Sequence, residues 1–184
     1  MELSVFDFDD TLFISDSKVK VKKKSGKIKL LNSRQFAKYK IRKGDEFDFT
    51  DFDRINGSFV EWTKERFDAS VENTQSKTVI MTARGKTDNL ESFFCNLGYK
   101  LEDIIFVGTG SADPKSKIAE VSALVNEFHP QEIVYYENCN EVFEEFIYGE
   151  SDFSATTSFY LLDVSKKNFN YKLFVKGGTG RWPE

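Results

Sequence analysis

The sequence predicts an α/β chain: a doubly wound parallel sheet with a small β-hairpin-containing insertion. Three observations carry this expectation. Short apolar runs recur along the chain, at Glu2–Phe6, Thr78–Thr82, "DIIFVG", Glu132–Glu137, "SFYLLDV" and "YKLFV". Segments with helical apolar spacing alternate with the middle four, which is the signature of strands joined by crossover helices. One stretch, "KVKVKKKSGKIKLL", breaks this rhythm and alternates with the period of a strand instead.

Taken in order, Glu2–Phe6 reads as a short buried strand that stops at the aspartates of "VFDFDDTLF". Ser25-Gly26 reads as a two-residue hairpin turn. That register sets Val21 opposite Leu30 and Lys22 opposite Lys29, so Val19, Val21, Ile28 and Leu30 share one face. Lys20, Lys22, Lys24, Lys27 and Lys29 share the other. Asn32-Ser33 is placed to cap a short helix through Tyr39. "KGDEFDFTDFDRING" reads as an acidic, aromatic loop, and Phe59, Trp62, Phe67 and Val71 predict a helix from Ser58 to about Asn73. Leu90, Phe93, Phe94 and Leu97 line a helix from Thr87 closed by Gly98. Asp113-Pro114 opens a helix carrying Ile118, Val121, Leu124, Val125 and Phe128 on one side, and His129 falls at its end. Glu141–Tyr148 is a short helix, and the final "GGTGRWPE" reads as a flexible or partner-bound end.

At 184 residues the chain suits one domain over 1–184, with residues 17–57 as a small insertion. Aromatics make up 15% of it, 19 of them Phe, which is the composition of a packed core. No run reaches the ~20 apolar residues of a membrane helix. The N-terminus has neither the basic lead nor the apolar stretch of a signal peptide. Cys95 and Cys139 make no disulfide framework, so a reducing cytoplasm is the expected location. A single histidine, His129, argues against His-rich zinc sites and two-histidine mechanisms. The net charge of −4 hides an asymmetry: Lys18–Lys43 holds 12 basic residues and no acid, leaving 14 basic and 30 acidic residues elsewhere.

In a doubly wound sheet ligands bind outside the carboxyl ends of the strands. The residues just past each strand are therefore the candidates. They are Asp7, Asp9 and Thr11; then Thr82, Ala83 and Arg84; then Lys115 and Lys117 on the next helix; then Glu137, Asn138 and Glu141. Neither a dinucleotide fingerprint nor a Walker pattern competes with them. Carboxylates, a hydroxyl and a lysine on one rim suit metal-assisted phosphoryl transfer, where positioning and charge stabilisation dominate. Taken singly, each has a plainer reading: turn aspartates, a strand-end threonine, solvated helix lysines. Arg84 is equally a substrate contact or a surface salt bridge. Asp10 reads as a capping or hydrogen-bonding residue, and Cys139 has no Lys, Arg or His beside it in sequence to make it reactive.

The set as a whole resembles the haloacid dehalogenase-like (HAD) phosphohydrolases. "DFDDTLF" is similar to their first motif, "VIMTAR" to the second, the helix lysine to the third and "VYYENCNE" to the fourth, in the same order. The basic hairpin, "GDEFDFTDF" and "DPKSK" also resemble uncharacterised HAD-like proteins of bacteriophages, which would place the chain in a host cytoplasm. The resemblance implies a Rossmann-like core and a Mg²⁺-dependent phosphatase. Asp7 would be nucleophile and metal ligand. Asp9 would be acid/base and lend its carbonyl to the metal, and Thr82 would hold a phosphoryl oxygen. Lys117 is preferred to Lys115 as the neutralising lysine because Ile118 and Val121 follow it at the family's apolar offsets. Glu137 would be the fourth-motif metal ligand, with Asn138 offering an oxygen where the family usually has a second acid. Thr11, Ala83, Arg84 and Lys115 are the further rim residues expected to meet substrate. The insertion falls where the family places caps, so the hairpin is expected as a lip whose lysines face an anion. A nucleotide or a nucleic-acid terminal phosphate is the expected substrate. The alternative is a catalytically degenerate member that binds nucleic acid or protein through the hairpin.

Overall fold

The computed structural model describes residues 1–148, 156–163 and 170–176. Five strands lie parallel: β1 (Glu2–Asp7) at the centre, β7 (Ser76–Thr82) and β8 (Ile104–Gly108) to one side, β9 (Glu132–Glu137) and β10 (Thr156–Asp163) to the other. The antiparallel β11 (Asn170–Lys176) pairs with β10 at that edge. The chain therefore winds outward from β1 through β7 and β8, then returns to the opposite side of β1 to continue through β9. That reversal makes the β1–β9 junction the switch point where a crevice opens above the strand ends.

Alternation along the strands decides which helices cover which face. Leu3 and Val5 of β1, Val79 and Met81 of β7 and Ile133 and Tyr135 of β9 point to one side. There they pack on Ile118, Val121 and Leu124 of α4 (Pro114–Phe128) and on Val142 and Phe146 of α5 (Asn140–Tyr148). Phe6, Ile80, Val134 and Tyr136 point to the other, against Phe67 of α2 (Glu61–Glu72) and Leu90 and Phe94 of α3 (Asp88–Asn96). The strands read as near-continuous apolar runs because both faces are covered. Asp113 caps α4 by accepting from the Lys115 amide at 3.0 Å, and His129 ends it in the left-handed conformation at φ 47°.

The insertion is more ordered than a hairpin and a loop. Strands β2 (Phe13–Ser15) and β6 (Gly57–Phe59) form a two-stranded ribbon at its base. Gly57 makes their approach possible: a Cβ there would lie 1.9 Å from the Ile14 carbonyl oxygen, and its φ is +145°. This pairing is why the helix expected from Ser58 begins at Glu61 instead. Above the ribbon, β3 (Val19–Lys22) is flanked by β4 (Ile28–Leu31) and by β5 (Glu46–Asp48), which lies inside the stretch expected to be loop. The helix α1 (Ser33–Ala37) follows β4 with Asn32 and Gln35 bonding reciprocally in a capping box, and it ends two residues before the expected Tyr39.

The hairpin register differs from the expected one by a single residue. Val21 lies opposite Lys29 and Lys22 opposite Ile28, because Lys23 and Lys27 close a three-residue turn, Lys24-Ser25-Gly26, with Gly26 at φ +80°. The slip moves every β4 side chain to the other face. Leu31, not Leu30, joins Val19 and Val21 in a small core with Phe36, Tyr39, Phe47 and Phe52. Ile28 and Leu30 are 52% and 61% exposed and share their face with Lys20 and Lys22, while Lys29 crosses over and lies 5.8 Å from the Tyr39 ring centroid. The acids that balance the hairpin come from β5: Lys22 meets Glu46 at 3.0 Å and Lys20 meets Asp48 at 4.0 Å. The Gly-rich end, 177–184, lies outside the described residues.

Candidate active site

β1 delivers Asp7 to the rim and then folds back at once. Leu12 and Phe13 donate to the Asp7 and Phe8 carbonyls at 3.2 and 2.9 Å, and Asp10 takes φ 64° to close the turn. Asp10 accepts from Ser33 Oγ at 2.9 Å, so it ties α1 to this turn, in keeping with the hydrogen-bonding role expected of it. Burial raises its pKa, with Ser33 opposing.

Asp7 is buried at the switch point. Its Oδ1 accepts from Lys117 Nζ at 2.6 Å, and its Oδ2 from Thr11 Oγ1 at 2.8 Å. Lys117, one turn into α4, also donates to Glu137 Oε2 at 2.7 Å. The other Glu137 oxygen accepts the backbone N–H groups of Asn138 and Cys139 at 2.9 and 3.0 Å. One ammonium thus bridges two buried carboxylates from neighbouring strands. Burial, and then the Glu137 charge, push the Asp7 carboxyl up to about 7 against the pull of Lys117. Burial works against the Lys117 cation too, but Asp7 and Glu137 outweigh it and hold its pKa well above the ordinary lysine value. The floor of the site is short of positive charge by one.

Asp9 points the other way and is held by Arg84. Arg84 Nε and Nη2 donate to its two oxygens at 3.0 and 2.7 Å. The guanidinium lies 5.2 Å from the Phe8 ring centroid and 5.1 Å from that of Phe52, and Nη1 donates to the Phe52 carbonyl at 3.0 Å. Arg84 is thus no surface bridge: it is a largely buried clamp between Asp9 and the insertion that also stands in the cleft wall. Thr82 is buried beside it, 3.5 Å from Asp9 Oδ2 and accepting from the Arg84 amide at 3.2 Å. Replacing Arg84 with Ala should lower stability by about 2 kcal/mol, because it strips a largely buried carboxylate of two charge-assisted bonds. A melting temperature about 5 °C below wild type checks this, with Arg84→Lys restoring little because it cannot form the fork; an unchanged melting temperature would refute the clamp.

These groups line a cleft of about 510 Å³ between the sheet rim and the insertion. Asp7, Asp9, Ala83, Arg84, Lys117, Glu137, Asn138 and Glu141 are in its wall. Thr11 lies fully buried behind Asp7, where it orients the carboxylate and is out of reach of a ligand. Lys115 is exposed and outside the wall, so of the two helix lysines it is Lys117 that meets the acids. The thiol of Cys139 lies 3.2 Å from Glu141 Oε2, and burial pushes its pKa up to about 11, which keeps it protonated and inert.

The insertion meets the cleft with residues other than those expected. Lys20, Lys22, Lys24, Lys27 and Lys29 are absent from its wall; Arg34, Phe36, Lys38, Phe49 and Phe52 are present. The alternation of "EFD" against "KVK", acid opposite lysine and Phe opposite Val, was the signal in the sequence that would have turned the hairpin this way.

Comparison with family models, curated proteins and solved structures returns no match. No helix among the described residues is long and apolar enough to cross a membrane.

Proposed function

We propose that this chain is a Mg²⁺-dependent phosphomonoesterase of the HAD-like kind, acting through a phosphoryl group carried on Asp7. The observation that carries the reading is the Asp7–Lys117–Glu137 triplet at the β1–β9 switch point, open to a cleft. The insertion takes the part of a small cap, since it forms the wall opposite the sheet rim.

The donors at the floor suit a hard, oxygen-seeking cation. Two carboxylates, Asp7 and Glu137, stand with the Asp9 carbonyl, to which Asn138 donates through Nδ2 at 3.4 Å rather than presenting its oxygen. Among the described residues no group of three or more His, Cys, Asp or Glu could hold a metal ion by itself. The cation would therefore rest on one or two protein carboxylates, with water and phosphate oxygens completing its shell, as Mg²⁺ does. The missing positive charge at Asp7 is the second point of fit. When bound, the cation supplies neutralisation of the phosphoryl oxygens and of the nucleophile.

The chain's own residues do the rest. Thr11 and Lys117 each hold one oxygen of the Asp7 carboxylate in the cleft wall, and the nucleophile is the oxygen that Lys117 holds. That oxygen attacks phosphorus, the new O–P bond forms in line with the breaking bond to the leaving alkoxide, and Lys117 balances the charge gathered on Asp7 and the phosphoryl group. Freed from Arg84 and protonated from solvent, Asp9 gives that proton to the leaving oxygen, then takes one from the water that attacks the acyl phosphate, releasing phosphate and restoring Asp7. Both Asp9 oxygens face Arg84 in the ligand-free geometry. Asp9 therefore turns to the substrate only as the clamp opens, and the Arg84 bond to Phe52 links that opening to the insertion.

A chromogenic aryl phosphate with 5 mM-scale Mg²⁺ against EDTA tests the reading directly. Turnover with Mg²⁺ and its loss with EDTA are expected; no turnover under either condition, over a panel of phosphomonoesters, would reject it. The alternative, a degenerate module binding nucleic acid through the hairpin, draws less support. Lys20 and Lys22 already face Asp48 and Glu46, and the exposed face they share carries Ile28 and Leu30.

A further inference from the structure

We propose that the insertion-side wall of the cleft is a nucleobase subsite and that the substrates are free mononucleotides, not the phosphorylated ends of a nucleic-acid chain. The proposal rests on the phosphatase reading only for which end of the ligand faces Asp7. Three aromatic rings, Phe36, Phe49 and Phe52, are in that wall, opposite the carboxylate floor. Phe49 is 48% exposed, whereas Phe6, Phe8, Phe67, Phe94 and Phe146 are fully buried. It is not loose: its ring meets Phe36 edge to face at 5.3 Å, and Phe36 in turn packs on Phe47 in the core of the insertion. A propped aromatic surface open to a cleft is a stacking platform, and any base offers it a π face.

Two cations flank the platform. Arg34 and Lys38 lie four residues apart around α1, both exposed and both in the cleft wall. Ser33, bonded to Asp10, fixes α1 over the mouth. Arg34 and Lys38 share that wall with Asp10 and Glu141. They supply attraction for an anionic ligand above a floor dominated by carboxylates, and donors for base edges or a further phosphate.

Size and charge layout separate a monomer from a polymer. A cleft of about 510 Å³ is in the range of small-molecule sites. Binding a strand needs a basic groove that follows its backbone out of the site. None of the five hairpin lysines is in the cleft wall, and two of them are matched by acids.

The test is calorimetric titration of the full chain carrying Asp7→Asn, which removes turnover, with nucleoside 5′-monophosphates and with ribose 5-phosphate, in Mg²⁺. The nucleotides should bind at least about 10-fold more tightly than the sugar phosphate. Phe49→Ala, at a half-exposed position, should erase that ratio, and Arg34→Gln should weaken nucleotide and sugar phosphate alike. A ratio near one, a ratio untouched by Phe49→Ala, or tighter binding of a 5′-phosphorylated oligonucleotide than of the mononucleotide overturns the proposal. The two readings fail separately. Sugar-phosphate hydrolysis by wild type without base preference leaves the phosphatase standing and removes the subsite. Base-dependent binding with no hydrolysis of any ester keeps the subsite and removes the phosphatase.

Discussion

Replacing Asp7 with Asn should abolish phosphatase turnover, by at least ~10³-fold in kcat, and at the same time make the metal-free protein more stable. The first effect follows from losing the nucleophile. The second follows from charge. Folding raises the Asp7 carboxyl from 3.8 to about 7. Below the lower value the acid is protonated folded or unfolded and contributes nothing. Between the two values the unfolded chain gives up its proton and the folded chain keeps it, so stability falls with rising pH; above about 7 the penalty is complete. Asn removes that slope and leaves Lys117 paired one to one with Glu137. After allowing for the weaker bonds of an amide, we expect a gain of about 2 kcal/mol at pH 8, or a melting temperature about 5 °C higher. The two proteins should converge below pH 4. Melting curves from pH 4 to 8 in EDTA check this. Parallel curves, or an active Asp7→Asn enzyme, would remove Asp7 from the role given to it. Added Mg²⁺ should narrow the gap at pH 8 by stabilising wild type, since only wild type offers the full carboxylate pair.

Lys117→Met should do the opposite and do it strongly. Met fills a similar volume, but nothing then separates Asp7 from Glu137, and two buried carboxylates lose their shared cation. Breaking a buried ion pair from one side costs about 3–5 kcal/mol, so a melting temperature lower by about 10 °C is expected at pH 7.5. The loss should shrink on acidification, because protonation relieves the repulsion that the lysine no longer offsets. Lys117→Met with Glu137→Gln should recover much of the deficit by removing one of the two acids. A single variant that melts with wild type at pH 7.5 would mean that Lys117 does not bridge the pair in solution.

The parts of this architecture that the sequence made legible are those in which one residue's neighbours are dictated by the strand itself. β1, β7, β8 and β9 are apolar on both faces, and their carboxyl ends fall where the runs stop, so Asp7, Thr82 and Glu137 could be put on one rim before any coordinates. Lys117 could be chosen over Lys115 because the buried face of α4 passes through Ile118 and Val121. The insertion was harder for a physical reason. Leu30 and Leu31 are adjacent, so either register of a four-residue strand buries one leucine, and local alternation cannot set the phase. The phase comes from elsewhere in the chain: Phe36 and Phe47 accept Leu31 and Val21, and Glu46 and Asp48 meet the lysines. The place of the insertion between the first two motifs suggests a lip but does not say which of its residues turn to the rim: Arg34 and Lys38 line the cleft, and the hairpin lysines do not. Arg84 has two readings in the sequence because a bidentate grip on Asp9 between two rings depends on Phe8 and Phe52, both far before it in the chain.

The β2–β6 ribbon has a consequence for how this molecule can be altered. The chain leaves the body at Ser15 and re-enters at Gly57, and these two residues are directly paired. The next pair outward, Asp16 and Asn56, is still joined, the Asp16 amide donating to the Asn56 carbonyl at 2.9 Å. The insertion is thus a detachable cassette: everything between exits and returns through one doorway, and the doorway is closed without it. A change in its length would add little chain-closure entropy, and the ties it would cut are those of Arg84 to Phe52 and of Asp10 to Ser33.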